Sequence, residues 1–365
     1  MSFAGATTAF AALLEFAEIA GLPLPGLAAI GGVVVLLACL VAVHECGHAV
    51  LAHARGMLVS HIHVFHLQLL RRRSRWSWRL RRMVKGMNWG GVMAFPTSAT
   101  PLREGLAWMS AGGPLANLVL AGLASAALRL PLPPLVEDPL IALLALNLGL
   151  GIGNLLPHLG KSYVSDGLRL WQLRRDLPED DEGILFLKLN GLCFEGVCAQ
   201  DLPRADVAAL AALQTPLALL AYWFRFIAAR NLGDWEEATR IADEFRSALS
   251  QQPSHVREGY AEMAGLIAAE DAACRAFNTR SSEPLETVEP GKEWSWHTPH
   301  LWPRLQALRA ALQGDRHATQ RHLAEARRHA EEHLDLATVR SEAVLRRRIR
   351  GLIAENSGAT VPARS

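Results

Sequence analysis

The chain has 365 residues, half of them hydrophobic, with 37 Lys and Arg against 35 Asp and Glu and a net charge of +2. That length allows two or three units, and a mean hydropathy of +0.14 is high for a wholly soluble protein. A net charge of +2 says little, because the distribution matters more, and five scattered cysteines argue against a disulfide framework.

In chain order, residues 9–20, AFAALLEFAEIA, suit a short amphipathic helix ahead of Pro23 and Pro25, so residues 1–26 read as an N-terminal interfacial segment. They lack a basic n-region, which argues against a cleaved signal peptide. Residues 19–43 carry no charged side chain, long enough to cross the roughly 30 Å hydrocarbon core of a bilayer. A first span is expected at about 27–53, and its inner end carries His44-Glu45-Cys46-Gly47-His48. On a helix, histidines at i and i+4 share one face, one turn apart. Two imidazoles so placed can hold a tetrahedral zinc, with Glu45 between them as general base toward an activated water. The motif alone recurs by chance, but ionisable groups inside an apolar span are expensive and mark function.

From Cys46 to Arg103 there is no acid, while Arg71, Arg72, Arg73, Arg75, Arg79, Arg81, Arg82 and Lys85 crowd the middle of that stretch. Directly after a span, such a block reads as a positive-inside loop beside anionic lipid, not as a nucleic-acid site. Within 58–97, LVSHIHVFHLQLL alternates like a strand, and WSWRL and NWGGVMAF are β-prone. A small membrane-associated sheet or hairpin is expected there, with Trp76, Trp78 and Trp89 at headgroup depth. Alternation puts His61 and His63 on one face and His66 on the other, so these three read as structural or interfacial.

A second uncharged span covers about 105–128 and contains Ser110-Ala-Gly-Gly-Pro114-Leu-Ala-Asn117, whose small residues allow close helix contact. A third runs over about 139–157 and ends in Asn154-Leu-Leu-Pro157, with Asp166-Gly167 beyond it. The proline and Gly160 predict a broken helix lining a polar cavity.

These motifs, in this order, resemble the site-2 protease family of intramembrane zinc metalloproteases over about residues 27–175. The resemblance implies a mostly α, polytopic membrane fold with a three-transmembrane-helix metalloprotease core at 27–177. It implies one Zn2+ held by His44, His48 and Asp166, with Glu45 as the catalytic base. It also implies a β-loop that holds substrate as an added strand, here Asn88-Trp89-Gly90-Gly91-Val92. Asn117 and Asn154 fall where family members carry polar residues near the site. One departure stands out: eight residues, HLGKSYVS, separate Pro157 from Asp166, where the family has about four. That insertion either loops out and leaves Asp166 in reach or shifts the carboxylate, with His158 then a spare ligand. Cys193 and Cys198 have no second Cys/His pair at finger spacing.

Residues 178–203, opening with PEDDEG, read as a linker, and 204–355 as a helical domain. The uncharged run 207–224 is interrupted by Pro216, which favours two buried soluble helices over a fourth span. GDWEEATRIADEFRSALSQQP (233–253) resembles a tetratricopeptide helix–turn–helix with a one-turn second helix, and ALQGDRHATQRHLAEA (311–326) repeats its Gly-Asp turn. Residues 276–300 have no clear period, and 356–365 read as a disordered tail. The expectation is an enzyme of the cell (inner) membrane that cleaves a single-span protein in or beside the bilayer. Its N-terminus would lie outside, its basic loop and tail in the cytoplasm. The tail would recruit substrate or regulator, or self-associate. The competing expectation is a non-enzymatic membrane scaffold with a vestigial metal site, acting through that tail.

Overall fold

The computed structural model describes residues 26–81, 89–159, 164–175 and 182–356. The amphipathic stretch 9–20, Asn88 and the tail beyond Asn356 lie outside them. The chain divides into two compact units, Met1–Pro178 and Glu179–Ser365.

The first unit is built on three apolar helices, α1 (Gly26–Ala54), α2 (Leu102–Ala127) and α3 (Pro134–Leu155). Among the described residues, Val34–Ala54, Leu102–Ala127 and Val136–Leu155 are long and apolar enough to cross a membrane. Val35, Val50, Val119, Leu123 and Ile152 stand exposed on them, as lipid contact requires. α3 starts earlier than its hydropathy suggests, because Pro134 occupies its first turn, where no backbone N–H is needed.

Backbone contact, more than side-chain interdigitation, joins α1 to α2. A Cβ on Gly47 would strike the Gly112 carbonyl, and one on Gly112 would strike that of Gly47. The small residues of the second span therefore sit opposite the metal motif.

Between α1 and α2 lies an antiparallel sheet of β1 (Leu58–Val64), β2 (Leu67–Arg71), β3 (Trp76–Leu80) and β4 (Gly90–Phe95), in the order β3-β2-β1-β4. β4 is thus an edge strand, registered on β1 with Ile62 opposite Val92 and His63 opposite Gly91. Trp76, Trp78 and Leu80, two residues apart on β3, are exposed. His66 differs from expectation. It falls in the tight β1–β2 turn after Phe65, whose φ is 48°, so no strand face presents it.

The second unit is all helical among its described residues. Residues 178–203, read above as a linker, are a correction: α5 (Glu182–Glu195) runs through them, and Leu185, Leu189 and Cys193 are buried. Its apolar positions outweigh the acidic stretch that suggested exposure. The run around Pro216 is two helices, α6 (Arg204–Ala211) and α7 (Leu219–Leu232), joined through a 3-10 turn at Pro216–Ala218. Residues 233–253 do not contain a helix–turn–helix, since α8 (Trp235–Ser250) is uninterrupted and pairs backward with α7. Further on come α9 (Ser254–Gly259), α10 (Ala261–Thr279), α11 (Trp294–His297), α12 (Leu301–Leu312), α13 (Arg316–Glu331) and α14 (Leu336–Asn356).

The two Gly-Asp pairs build the same turn. Gly233 (φ 84°) and Gly314 (φ 79°) take the left-handed conformation that ends a helix without a Cβ clash. Asp234 and Asp315 then cap α8 and α13, accepting from Glu237 N at 3.1 Å and Ala318 N at 2.8 Å.

Candidate metal centre

His44, Glu45 and His48 sit near the end of α1, and Asp166 opens α4 (Asp166–Arg174). One ligand atom from each of His44, His48 and Asp166 lies within 4.8 Å of the others, the one such group among the described residues. His44 Nε2 is 3.2 Å from Asp166 Oδ2, His48 Nε2 is 3.5 Å from Asp166 Oδ1, and the two Nε2 atoms are 3.1 Å apart.

The other ring nitrogens fix the tautomers. His44 Nδ1 donates to Asn117 Oδ1 at 2.6 Å, Asn117 Nδ2 to Asn147 Oδ1 at 2.8 Å, and Asn147 Nδ2 to the Leu143 carbonyl at 2.8 Å. The relay ends on a carbonyl that can only accept, so His44 carries its proton on Nδ1. His48 Nδ1 has the Met109 carbonyl at 2.6 Å and the Gly113 amide at 3.2 Å, which ask for opposite tautomers. The shorter contact, to an atom that only accepts, decides for Nδ1–H. Both Nε2 atoms then bring lone pairs, and a carboxylate closes the triangle.

Three unprotonated donors converging in a buried space repel one another unless a cation joins them. Tetrahedral zinc, with Zn–N near 2.0–2.1 Å, sets its ligand atoms roughly 3.3 Å apart. The observed spacings match, so the donor set fits zinc. Gly113 completes the space, since a Cβ there would lie against both imidazoles.

Asp166 is held next to the end of α3 by Ser165, which is buried. Its hydroxyl donates to the Leu156 carbonyl at 2.8 Å and accepts from His158 N at 3.0 Å and Leu168 N at 3.1 Å. One side chain therefore ties the end of α3, His158 and the start of α4. Gly167 abuts the Leu155 carbonyl so closely that no Cβ fits. At the far end of α4, the Arg103 guanidinium donates to the Leu173 and Arg175 carbonyls at 2.9 and 2.5 Å. His158 is exposed, bonds the Leu156 carbonyl and stands outside the ligand group.

Glu45 is buried, and its carboxyl touches Gly90, the first residue of the β4 edge. Gly91 faces the His63 ring, and Val92 follows on the same strand. Asn117 stands on His44, while Asn154, half-buried in the last turn of α3, is not among the groups bonded to the triad. Sequence reasoning missed Asn147 and Ser165. An Asn in the middle of an apolar span and a Ser just ahead of an acidic helix start were the available signals.

Residues 32–136 match the model of peptidase family M50, the site-2 proteases. That region belongs to peptidase family M50. No curated protein and no solved structure matches the chain. M50 peptidases are zinc-dependent metalloproteases, which agrees with the ligand group and with three helices apolar enough for a membrane protein. The M50 match covers His44, Glu45, His48, Asn117 and β4 but ends before Asn147 and Asp166. The place of those last two residues rests on geometry alone.

Proposed function

We propose that this chain is an intramembrane zinc metalloendopeptidase of the site-2 type that cleaves a single-span membrane protein within or beside the bilayer. The observation that carries the reading is the convergence of His44 Nε2, His48 Nε2 and Asp166 on one point beside a buried Glu45, next to a free strand edge. His44, His48 and Asp166 would hold the ion. Zinc supplies a Lewis acid that polarises a peptide carbonyl and lowers the pKa of water toward roughly 7.

The chain's own residues do the rest. Glu45 takes a proton from the attacking water and returns it to the leaving amine. Asn117 and Asn147 hold His44 in its ligating tautomer, and Met109 does the same for His48. A membrane helix resists cleavage because its backbone groups bond internally. An unwound substrate segment laid along β4 at Gly90, Gly91 and Val92 would recover those bonds, with its backbone beside Glu45. Asn88, outside the described residues, is kept as a substrate-contact candidate on the family resemblance of the sequence alone. In this reading Asn117 is a positioning residue, and Asn154 is left as a candidate substrate contact near the mouth of the site.

The arginine-rich loop supports placing the β-sheet and the C-terminal unit on the cytoplasmic side, with the N-terminus outside. The C-terminal unit would then recruit substrate or regulator. In detergent-purified protein with a generic single-span substrate, Glu45→Gln should keep its zinc and lose cleavage. Val92→Pro should reduce cleavage more than zinc content. Cleavage surviving Glu45→Gln would remove the peptidase mechanism, and a metal-free, inactive wild type would favour the scaffold.

A further inference from the structure

In the C-terminal unit, α6 and α7 border an open groove of about 680 Å³. Arg204, Val207, Ala208 and Ala211 line it from α6, at the i, i+3, i+4 and i+7 spacing of one helix face. Arg225, Ala228 and Leu232 line it from α7, again on one face. The floor is closed by Leu202 and Phe224, which are buried, but the walls are bare. Ala208 and Ala211 are exposed, and Leu232, at the end of α7, is 68% exposed.

What would cover this apolar surface follows from its walls. Both are helices whose backbone groups bond internally, so neither offers a strand edge. An extended segment laid on the alanines would take its N–H and C=O groups out of water and find no partners for them. A helix satisfies its own backbone, and alanine lets its axis come close. α7 has 14 residues, roughly 21 Å at 1.5 Å each, so about four turns of a docked helix fit beside it.

The charges in the lining are two arginines, with no carboxylate among its described residues. Arg204 has no ion-pair or hydrogen-bond partner among the described residues, and Arg225 shares Glu244, at 3.4 Å, with Arg240. Asp206, also on α6, is taken by Lys188 at 2.8 Å. α6 begins at Arg204 without a side-chain cap, which leaves the positive end of its dipole at the same place. Gln200, the remaining polar residue of the lining, is committed to Asn231 at 3.0 Å and Asp201 at 3.2 Å. The groove is therefore apolar along its walls and positive at its rim.

We propose that the α6–α7 groove docks a short amphipathic helix of another protein, its apolar ridge on the alanines and its flanking Asp or Glu side chains on Arg204 and Arg225. This deepens the recruiting role given above to the C-terminal unit, and it rests on that role and not on the metal centre.

The test is selection of displayed random peptides of about 16 residues on the full chain held in zwitterionic lipid nanodiscs. Enriched sequences should carry apolar residues at i, i+3, i+4 and i+7, with Asp or Glu beside them. For the tightest of them, made with a fluorescent label, Leu232→Glu should weaken binding by about tenfold. Arg204→Glu should also weaken it by about tenfold, and exchanging the peptide's acids for Lys should restore binding to that variant alone. Both positions are exposed, so the unfolding midpoint should not move in either variant. No enrichment, or enrichment of basic or non-periodic sequences, would overturn the proposal. Binding untouched by both variants would overturn it too, while placing recruitment elsewhere on the chain. Self-association that Leu232→Glu abolishes would give the groove to a second copy instead. Neither cleavage nor zinc enters these readouts, so a failure here is distinct from a failure of the peptidase reading.

Discussion

Two buried polar clusters sit in the two units, and they are built on opposite logic. Around His44, His48 and Asp166 the groups are alike, since every one brings electron pairs to a single point, and hydrogen bonds behind them fix that orientation. Around Arg304 the groups alternate in sign. Glu270 bridges Arg230 and Arg304, and Glu342 takes the other side of Arg304. The second cluster largely neutralises itself and serves the fold around it. The first is incomplete by itself and calls for a cation. Burial of charge alone therefore does not mark a catalytic site; the signs of what converges do.

This contrast can be broken by mutation, and the largest effect is expected in the self-neutralising cluster. Arg304→Ala leaves Glu270 and Glu342 buried without their shared partner, which should destabilise the C-terminal unit by about 3–5 kcal/mol. Hydrogen exchange should show the loss there while bound zinc stays unchanged; a fall in zinc would mean that the two clusters are coupled.

Gly113→Ala comes next. A Cβ between the imidazoles should cut zinc affinity by about 100-fold, ~2.7 kcal/mol, without altering exchange protection in the C-terminal unit. Unchanged affinity would mean that the two rings are not held as described.

Asn147→Leu acts one bond further out, on Asn117, and should cost about tenfold in zinc affinity, the low end for groups that orient a metal-bound histidine. The smallest effect is expected from Ser165→Ala. It removes a helix cap and the tie across the insertion, about 1 kcal/mol or roughly fivefold in affinity. Competition with a zinc chelator of known affinity resolves both, and Ser165→Thr should restore most of the second loss.

Legibility in the sequence follows contact range. His44, Glu45 and His48 belong to one helix turn, so their spacing alone places them on one face. The three spans and the strands of the basic loop were readable for the same reason, through hydropathy and alternation. Asp166 could be nominated only through family resemblance, because the eight-residue insertion hides how far the chain travels. What returns it is the Ser165 hydroxyl and the glycine contact at Leu155, neither of which has a periodic signature. The linker reading of 178–203 failed because a short acidic run outweighed the buried Leu185 and Leu189 that follow it. The Arg304 cluster bonds residues 34 to 40 positions apart, with no motif at all.

The most direct test of the central claim is zinc content with X-ray absorption on the detergent-purified protein, beside His48→Ala and Asp166→Ala. About one zinc per chain is expected in the wild type, bound by two nitrogens and at least one oxygen at roughly 2.0–2.2 Å, and lost in both variants. A wild type that stays metal-free under zinc-replete conditions, or zinc retained in both variants, would contradict the assignment of His44, His48 and Asp166 as a metal centre.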